Sequence, residues 1–130
     1  MYIKQFDSWN QVKKQVNDTT HKMFVRAGEV RWAIVGTNIG SEIDGKGSSF
    51  TRPVLIMHVI GSHLALVIPL STSVKTIPGY VPFVLKGKTV SLCVHQIRIV
   101  SQKRLLARTS RISEARLKEV KKMVSDFFAM

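Results

Sequence analysis

The stretch Pro53-Val54-Leu55-Ile56-Met57-His58-Val59-Ile60-Gly61-Ser62-His63-Leu64-Ala65-Leu66-Val67-Ile68-Pro69-Leu70-Ser71-Thr72-Ser73-Val74 decides how this chain is read. It carries no Lys, Arg, Asp or Glu, and it matches the roughly 20 apolar residues that a membrane-crossing helix needs. Its middle argues for something else. Ile60-Gly61-Ser62-His63 is a turn signal between two β-branched runs, and Pro69 with Ser71, Thr72 and Ser73 closes the second run. Two buried strands joined by a tight connection follow, and no membrane span is expected.

Strand patterns extend outward from this pair. Upstream, residues 29–35 read as a strand and 36–50 as a long loop holding four of the eight glycines, Gly36, Gly40, Gly45 and Gly47; residues 52–58 and 63–70 are the central strands. Structureless loops of that length in small domains are usually either functional or disordered. Downstream, 80–85 and 89–94 read as strands, and 96–100 continues the last or turns away from it. Helical periodicity appears only at the ends. Near the start, Ser8 and Gln11 fit a capping box and Trp9, Val12 and Val16 share a face; near the end, Ser113 caps, Ile112 and Leu117 form a hydrophobic staple, and Leu117, Val120, Val124 and Phe127 or Phe128 share a face. The fold class is mainly β, a small twisted barrel with a C-terminal helix packed outside and a short N-terminal accessory helix. The expected division is a helical extension at 1–26 and the main domain at 27–130.

A chain of 130 residues suits one folded unit, and 45% hydrophobic against 22% charged residues supports a packed core. This composition excludes a disordered basic tail. The net charge of +12 also sets the chain apart from an ordinary metabolic enzyme and points to an anionic partner, nucleic acid ahead of a membrane surface or an acidic protein. The charge is uneven: +3 over 1–26, zero over 27–60, +4 over 61–100 and +5 over 101–130. The single cysteine, Cys93, cannot form an internal bridge, and no apolar leader stands in 1–26, so a cytoplasmic location is expected. No Cys or His cluster at metal-ligand spacing, P-loop, Gly-x-Ser-x-Gly elbow or paired carboxylates stand out, so neither metal nor cofactor is expected. Chemistry on a nucleic acid then points to RNA, whose own 2′-hydroxyl attacks the adjacent phosphate. Such cleavage needs help in deprotonating that hydroxyl, charge stabilisation in the transition state and a proton for the leaving 5′-oxygen.

Five short motifs follow in order: Gly28-Glu29-Val30-Arg31-Trp32; Ile39-Gly40-Ser41-Glu42; Arg52-Pro53-Val54-Leu55-Ile56; Ile68-Pro69-Leu70-Ser71-Thr72-Ser73; and His95-Gln96-Ile97-Arg98-Ile99-Val100 with Arg104-Leu105. Together they resemble the MazF/PemK/Kid family of toxin–antitoxin endoribonucleases over about residues 28–127. Residues 1–26 resemble an N-terminal extension seen in some PemK-like members. The resemblance implies an SH3-like barrel, a homodimer, cleavage of single-stranded RNA without metal to 2′,3′-cyclic phosphate and 5′-hydroxyl ends, and an acidic antitoxin occupying the RNA groove. It places the catalytic arginine on Arg52, its hydroxyl partners on Ser71 and Thr72, and a substrate contact on Ser41. Where several members carry an acidic residue this chain has His95, whose imidazole can exchange a proton near neutral pH, and where many have Thr it has Ile99. Glu42, Lys46, Gln96 and Arg98 complete the residues expected at the RNA.

Bland alternatives stand beside these roles. Arg52 can instead pair with Glu29 or Glu42 at the surface, Ser41 and Glu42 can simply shape the loop, and His95 can be structural. Trp32 is expected in the core or at an interface between copies, with a base-stacking platform as the lesser reading, and His58 and His63 are expected at the surface. The run Lys103, Arg104, Arg108 and Arg111 either tracks an RNA backbone or is merely solvated. A rival reading for the whole chain is a non-catalytic nucleic-acid binder or a relative of the gyrase poisons on this barrel. The latter depend on a C-terminal Trp-Gly-Ile, and this chain ends Phe127-Phe128-Ala129-Met130.

Overall fold

The decisive apolar stretch forms an antiparallel strand pair, β2 (Thr51–Ile60) and β3 (Leu64–Ser71), turning at Gly61 with φ +59°. The computed structural model describes residues 2–20 and 23–129; Met1, His21, Lys22 and Met130, which fall within the two expected units, lie outside the described residues. The remaining elements are α1 (Phe6–Asn17), β1 (Glu29–Ile34), β4 (Tyr80–Leu85), β5 (Lys88–Cys93), β6 (Arg98–Ser101), β7 (Leu105–Arg111) and α2 (Glu114–Phe128). Among the described residues no helix is long and apolar enough to cross a membrane.

The sheet runs β4-β5-β3-β2-β1-β7, with β6 also paired to β3. The far edge of β3 is shared: its first half pairs with β6 and its last residues with β5, because a turn of 3₁₀-helix at Val94–Gln96 bends the chain between them. β2 and β3 read as continuous apolar runs because both of their faces are covered. Leu55, Met57, Ile68 and Leu70 join Phe83, Leu92, Val94, Ile112 and Val120 in one core, while Val54, Ile56, Ala65 and Val67 join Val25, Ala33, Val35, Val100 and Leu105 in another. The mainly β expectation holds. The barrel is an open one, since no backbone ladder joins the edge strands β4 and β7; Lys86 Nζ, just past β4, reaches across to the Thr109 carbonyl of β7, and Arg116 Nη2 of α2 donates to the Val84 carbonyl of β4.

The terminal helix forms as its sequence dictates: the Ser113 hydroxyl accepts from the Arg116 amide at 3.2 Å, and Ile112 and Leu117 enter the first core together. One expectation fails. The Ser8–Gln11 capping box does not form, because α1 begins a turn earlier at Phe6, with Gln5 before it giving no side-chain cap. Arg108 and Arg111 of the basic run lie on the strand β7, which pairs with β1 and carries no clear signal in the sequence. Two register shifts in that pairing break the period-2 pattern, and Leu105 is its one fully buried residue, so alternation is lost in the sequence.

Helix α1 docks through Trp9, whose ring lies 5.5 Å from that of Phe50 with Arg104 above it at 5.7 Å. Gly36 makes this possible. At φ +86° it takes a backbone state that favours glycine, and an added Cβ would lie 2.3 Å from Trp9 Cζ2. Gly36→Ala is therefore expected to lift α1 off the sheet while the strands stay paired. In a Trp32→Phe background this appears as a red shift of Trp9 fluorescence with the β-type circular dichroism unchanged.

Candidate functional site

Arg52 stands near the start of β2, where neighbouring strands on both sides fix its place. On one side it pairs with Ala33 of β1, and continuing the Val54–Pro69 register of β2 and β3 by two places sets it opposite Ser71. Its guanidinium is held by backbone: Nε donates to the Asp44 carbonyl at 2.8 Å and Nη1 to the Leu70 carbonyl at 3.2 Å. The alternative surface pairs with Glu29 or Glu42 do not form. Those two bonds use two of the five guanidinium N–H groups, and Nη2 has no partner among the described residues.

Arg52, Ser71, Thr72 and Lys46 line one groove of about 780 Å³, together with Trp32, Lys86 and Lys88 and with no Asp or Glu among the lining residues. Trp32 is not in the core; it is 42% exposed and forms part of the groove wall. Lys46 reaches the groove because its backbone bridges Thr51 at the mouth of the loop, with N–O distances of 2.8 and 3.1 Å. Lys86 and Lys88 are additions to the sequence reading. Lys86 is the first residue of the two-residue turn Lys86-Gly87 between β4 and β5 and Lys88 follows that turn, whose two residues both have positive φ, +51° and +76°. That geometry is a type I′ hairpin. A lone glycine between two short strands was the signal that could have revealed it.

The other predicted residues lie elsewhere. Gln96 ties the glycine-rich loop to the sheet, its Oε1 accepting from the Ile43 amide at 3.1 Å and its Nε2 donating to the Ser41 carbonyl at 3.1 Å. Glu42 shapes that loop by accepting from the Ile39 amide at 2.9 Å, and Ser41 is exposed on it. His95 packs on Tyr80 with ring centroids 5.0 Å apart, its Nδ1 buried and unpartnered among the described residues, and Arg98 is half-buried on β6. None of these five lines the groove. Cys93 is fully buried, and burial pushes its thiol up, so it offers no thiolate nucleophile. A second cavity of about 630 Å³, under Met23 and Phe24 beside the β2–β3 turn, gathers His63 and Lys103 but no arginine and no acid.

An acid-free groove with several cations, the Ser71 and Thr72 hydroxyls and a backbone-locked guanidinium can take up a phosphodiester and stabilise charge developing on it. A family model described as the PemK-like, MazF-like toxin of type II toxin–antitoxin systems matches residues 26–128. Among solved structures the fold is similar to a crystal structure of MazF from Deinococcus radiodurans, with a TM-score of 0.62, 18% identity, and coverage of 82% of this chain and 97% of that one. It is also similar to an endoribonuclease in complex with its cognate antitoxin from a mycobacterial species, with a TM-score of 0.57, 15% identity and the same coverage of each chain. No curated protein sequence matches the chain.

Proposed function

Because the chain belongs to the PemK-like, MazF-like toxin family of type II toxin–antitoxin systems, we propose that it is an endoribonuclease that cuts single-stranded RNA in the Arg52 groove. The observation that carries this reading is the Arg52 guanidinium, locked by two carbonyls opposite Ser71 in a groove lined by Lys46, Lys86 and Lys88 and free of acid. In the reaction the RNA 2′-oxygen bonds to the adjacent phosphorus and the bond from phosphorus to the 5′-oxygen breaks. The 2′-hydroxyl loses its proton to solvent, and the leaving 5′-oxygen takes one up. Arg52 keeps its proton throughout and donates hydrogen bonds to the non-bridging oxygens as their charge grows. Ser71 and Thr72 donate to the same phosphate and help fix the in-line geometry. The lysines hold the flanking backbone, and Trp32 offers a flat face to a base.

His95, Ser41, Glu42, Gln96 and Arg98 are off the groove and take no part in the bond-breaking step. Of these, Gln96 and Glu42 act by shaping the loop. The catalytic unit is residues 27–130, with 1–26 an extension to it. It acts as a homodimer without metal, and an acidic antitoxin segment competes for the same cationic groove.

Single-stranded RNA incubated with the protein in excess EDTA should be cut, leaving 2′,3′-cyclic phosphate and 5′-hydroxyl ends, with apparent affinity falling steeply as salt rises. RNA that is retarded in a gel yet stays intact at high concentrations of folded protein would sink the enzyme reading in favour of a binder.

A further inference from the structure

The N-terminal extension reaches the groove through the loop that carries Arg52's anchor. Asp44 sits at the centre of this contact. Its backbone carbonyl accepts from Arg52 Nε at 2.8 Å, while its carboxylate accepts from the Asn38 amide at 2.6 Å through Oδ1 and from the Tyr2 hydroxyl at 2.8 Å through Oδ2. Lys4 Nζ completes the arrangement: it lies 3.4 Å from Asp44 Oδ2, donates to the Gly40 carbonyl at 3.0 Å and also donates to the Asn38 carbonyl. The Lys4 and Asp44 side chains are only 18% and 12% exposed, so water screens this pair far less than an ordinary surface ion pair. The Asp44 carboxylate also raises the Tyr2 phenol pKa, chiefly through their hydrogen bond, so the phenol remains a donor across the working pH range.

The same segment grips the neck of the loop. Trp9 packs against Gly36 at one end of the loop and Phe50 at the other, where the Phe50 carbonyl accepts from the Val35 and Gly36 amides at 2.9 and 3.1 Å. Phe50 itself has φ +56°, an unfavourable state for a side chain of its size that these contacts hold in place. Beyond Trp9, α1 is tethered by Lys103 Nζ donating to the Asn17 carbonyl at 2.7 Å. The extension thus holds the loop at its neck and near its tip, and the tip contact is one peptide unit from the carbonyl that aims Arg52.

We propose that residues 2–17 are a strap that sets the conformation of the 36–50 loop, with Tyr2 and Lys4 as positioning residues that hold Asp44 and, through its carbonyl, orient the Arg52 guanidinium. The inference rests on Arg52 being the catalytic group of the proposed endoribonuclease. It gives the extension a role in catalytic rate with no contact to RNA. A guanidinium displaced by about 1 Å loses much of its transition-state value while the lysines continue to hold the substrate.

The test uses the full chain carrying Tyr2→Phe and Lys4→Met together, both on exposed or half-buried positions outside the two cores. Amide hydrogen exchange at Asn38, whose N–H is held by Asp44, should speed up at least about 10-fold, and kcat for RNA should fall about 10- to 100-fold with KM changed less than about threefold. Restoring position 4 as arginine in a Lys4→Arg single variant should keep both readouts near wild type. Unchanged exchange at Asn38 overturns the strap, and faster exchange with unchanged kcat overturns its positioning role. A wild-type chain that cuts no RNA overturns the endoribonuclease reading instead, and the strap is then decided by the exchange measurement alone.

Discussion

Arg52→Ala should lower the rate of RNA cleavage by about 10²- to 10³-fold, the loss typical of deleting one transition-state hydrogen-bond donor in an oxyanion-type site. Arg52 combines that donor with a full charge, so the upper part of this range is expected. The protein should remain folded, because Arg52 lies in neither core cluster and its side chain donates to loop and strand-end carbonyls. RNA affinity should fall far less, since Lys46, Lys86 and Lys88 remain in the groove. Single-turnover cleavage in EDTA, read beside binding by a fluorescently labelled RNA, separates the two effects. Arg52→Lys should recover little, because a lysine ammonium cannot span the Asp44 and Leu70 carbonyls and still present a fork to phosphate. An Arg52→Ala protein that cuts at the wild-type rate would place the chemistry elsewhere.

Arg31→Met should cost about 3–5 kcal/mol of folding stability, the usual consequence of removing one partner from a buried ion pair. Arg31 and Glu29 are only 7% and 3% exposed, and Arg31 Nε donates to Glu29 Oε1 at 3.0 Å. The same guanidinium donates to the Leu106 carbonyl at 2.8 Å and the Phe24 carbonyl at 3.0 Å, so it fastens β1 to β7 and to the segment leading in from the extension. Burial pushes the Glu29 carboxyl up, but the Arg26 amide, the Arg31 guanidinium and the charge of Arg108 outweigh it and leave its pKa below the ordinary carboxylate value. A carboxyl lowered in the folded state contributes stability that is complete above its unfolded pKa of about 4.3 and is lost as pH falls through the folded value. Wild type should therefore lose this contribution in acid below about pH 4. In Arg31→Met the buried carboxylate keeps only the Arg26 amide and the exposed Arg108 guanidinium 3.7 Å away, so protonation relieves part of the penalty and the stability gap to wild type should narrow as pH falls. Urea unfolding at pH 7 and at about pH 3 measures both; a gap that is constant with pH would show that lost packing, and not the stranded charge, accounts for the cost.

Much of the fold is legible in the sequence because hydrophobic pattern and turn chemistry are local signals. The two charge-free runs and the turn at Gly61 mark β2 and β3, and the Ser113 cap with its Ile112–Leu117 staple marks α2. β7 escaped because its pairing to β1 is bulged twice and most of its side chains face solvent. The core reading of Trp32 fails for a related reason: a large aromatic in a strand reads as core, but the pleat turns it into the groove wall.

The candidate site divides in the same way. Resemblance of short motifs marked Arg52, Ser71 and Thr72, and register alone brings Arg52 and Ser71 together, since antiparallel pairing is fixed once the turn and the buried faces are fixed. His95, Ser41, Glu42, Gln96 and Arg98 sit in the same motifs yet off the groove, because closeness in a motif does not determine the direction in which a side chain points. Lys86 and Lys88 reach the groove from a hairpin 34 and 36 positions along the chain from Arg52. By itself the sequence determined a basic, mainly β chain, its central strands and its terminal helix, all of which depend on composition, periodicity and local order, while the resemblance of its short motifs pointed to Arg52. Only the tertiary structure decided which cations share the groove, that the N-terminal segment straps the loop behind Arg52, and that Glu29 and Arg31 are buried together. Those facts depend on contacts between residues far apart in the chain, where Coulomb and hydrogen-bond energies act across short distances in space that no linear pattern encodes.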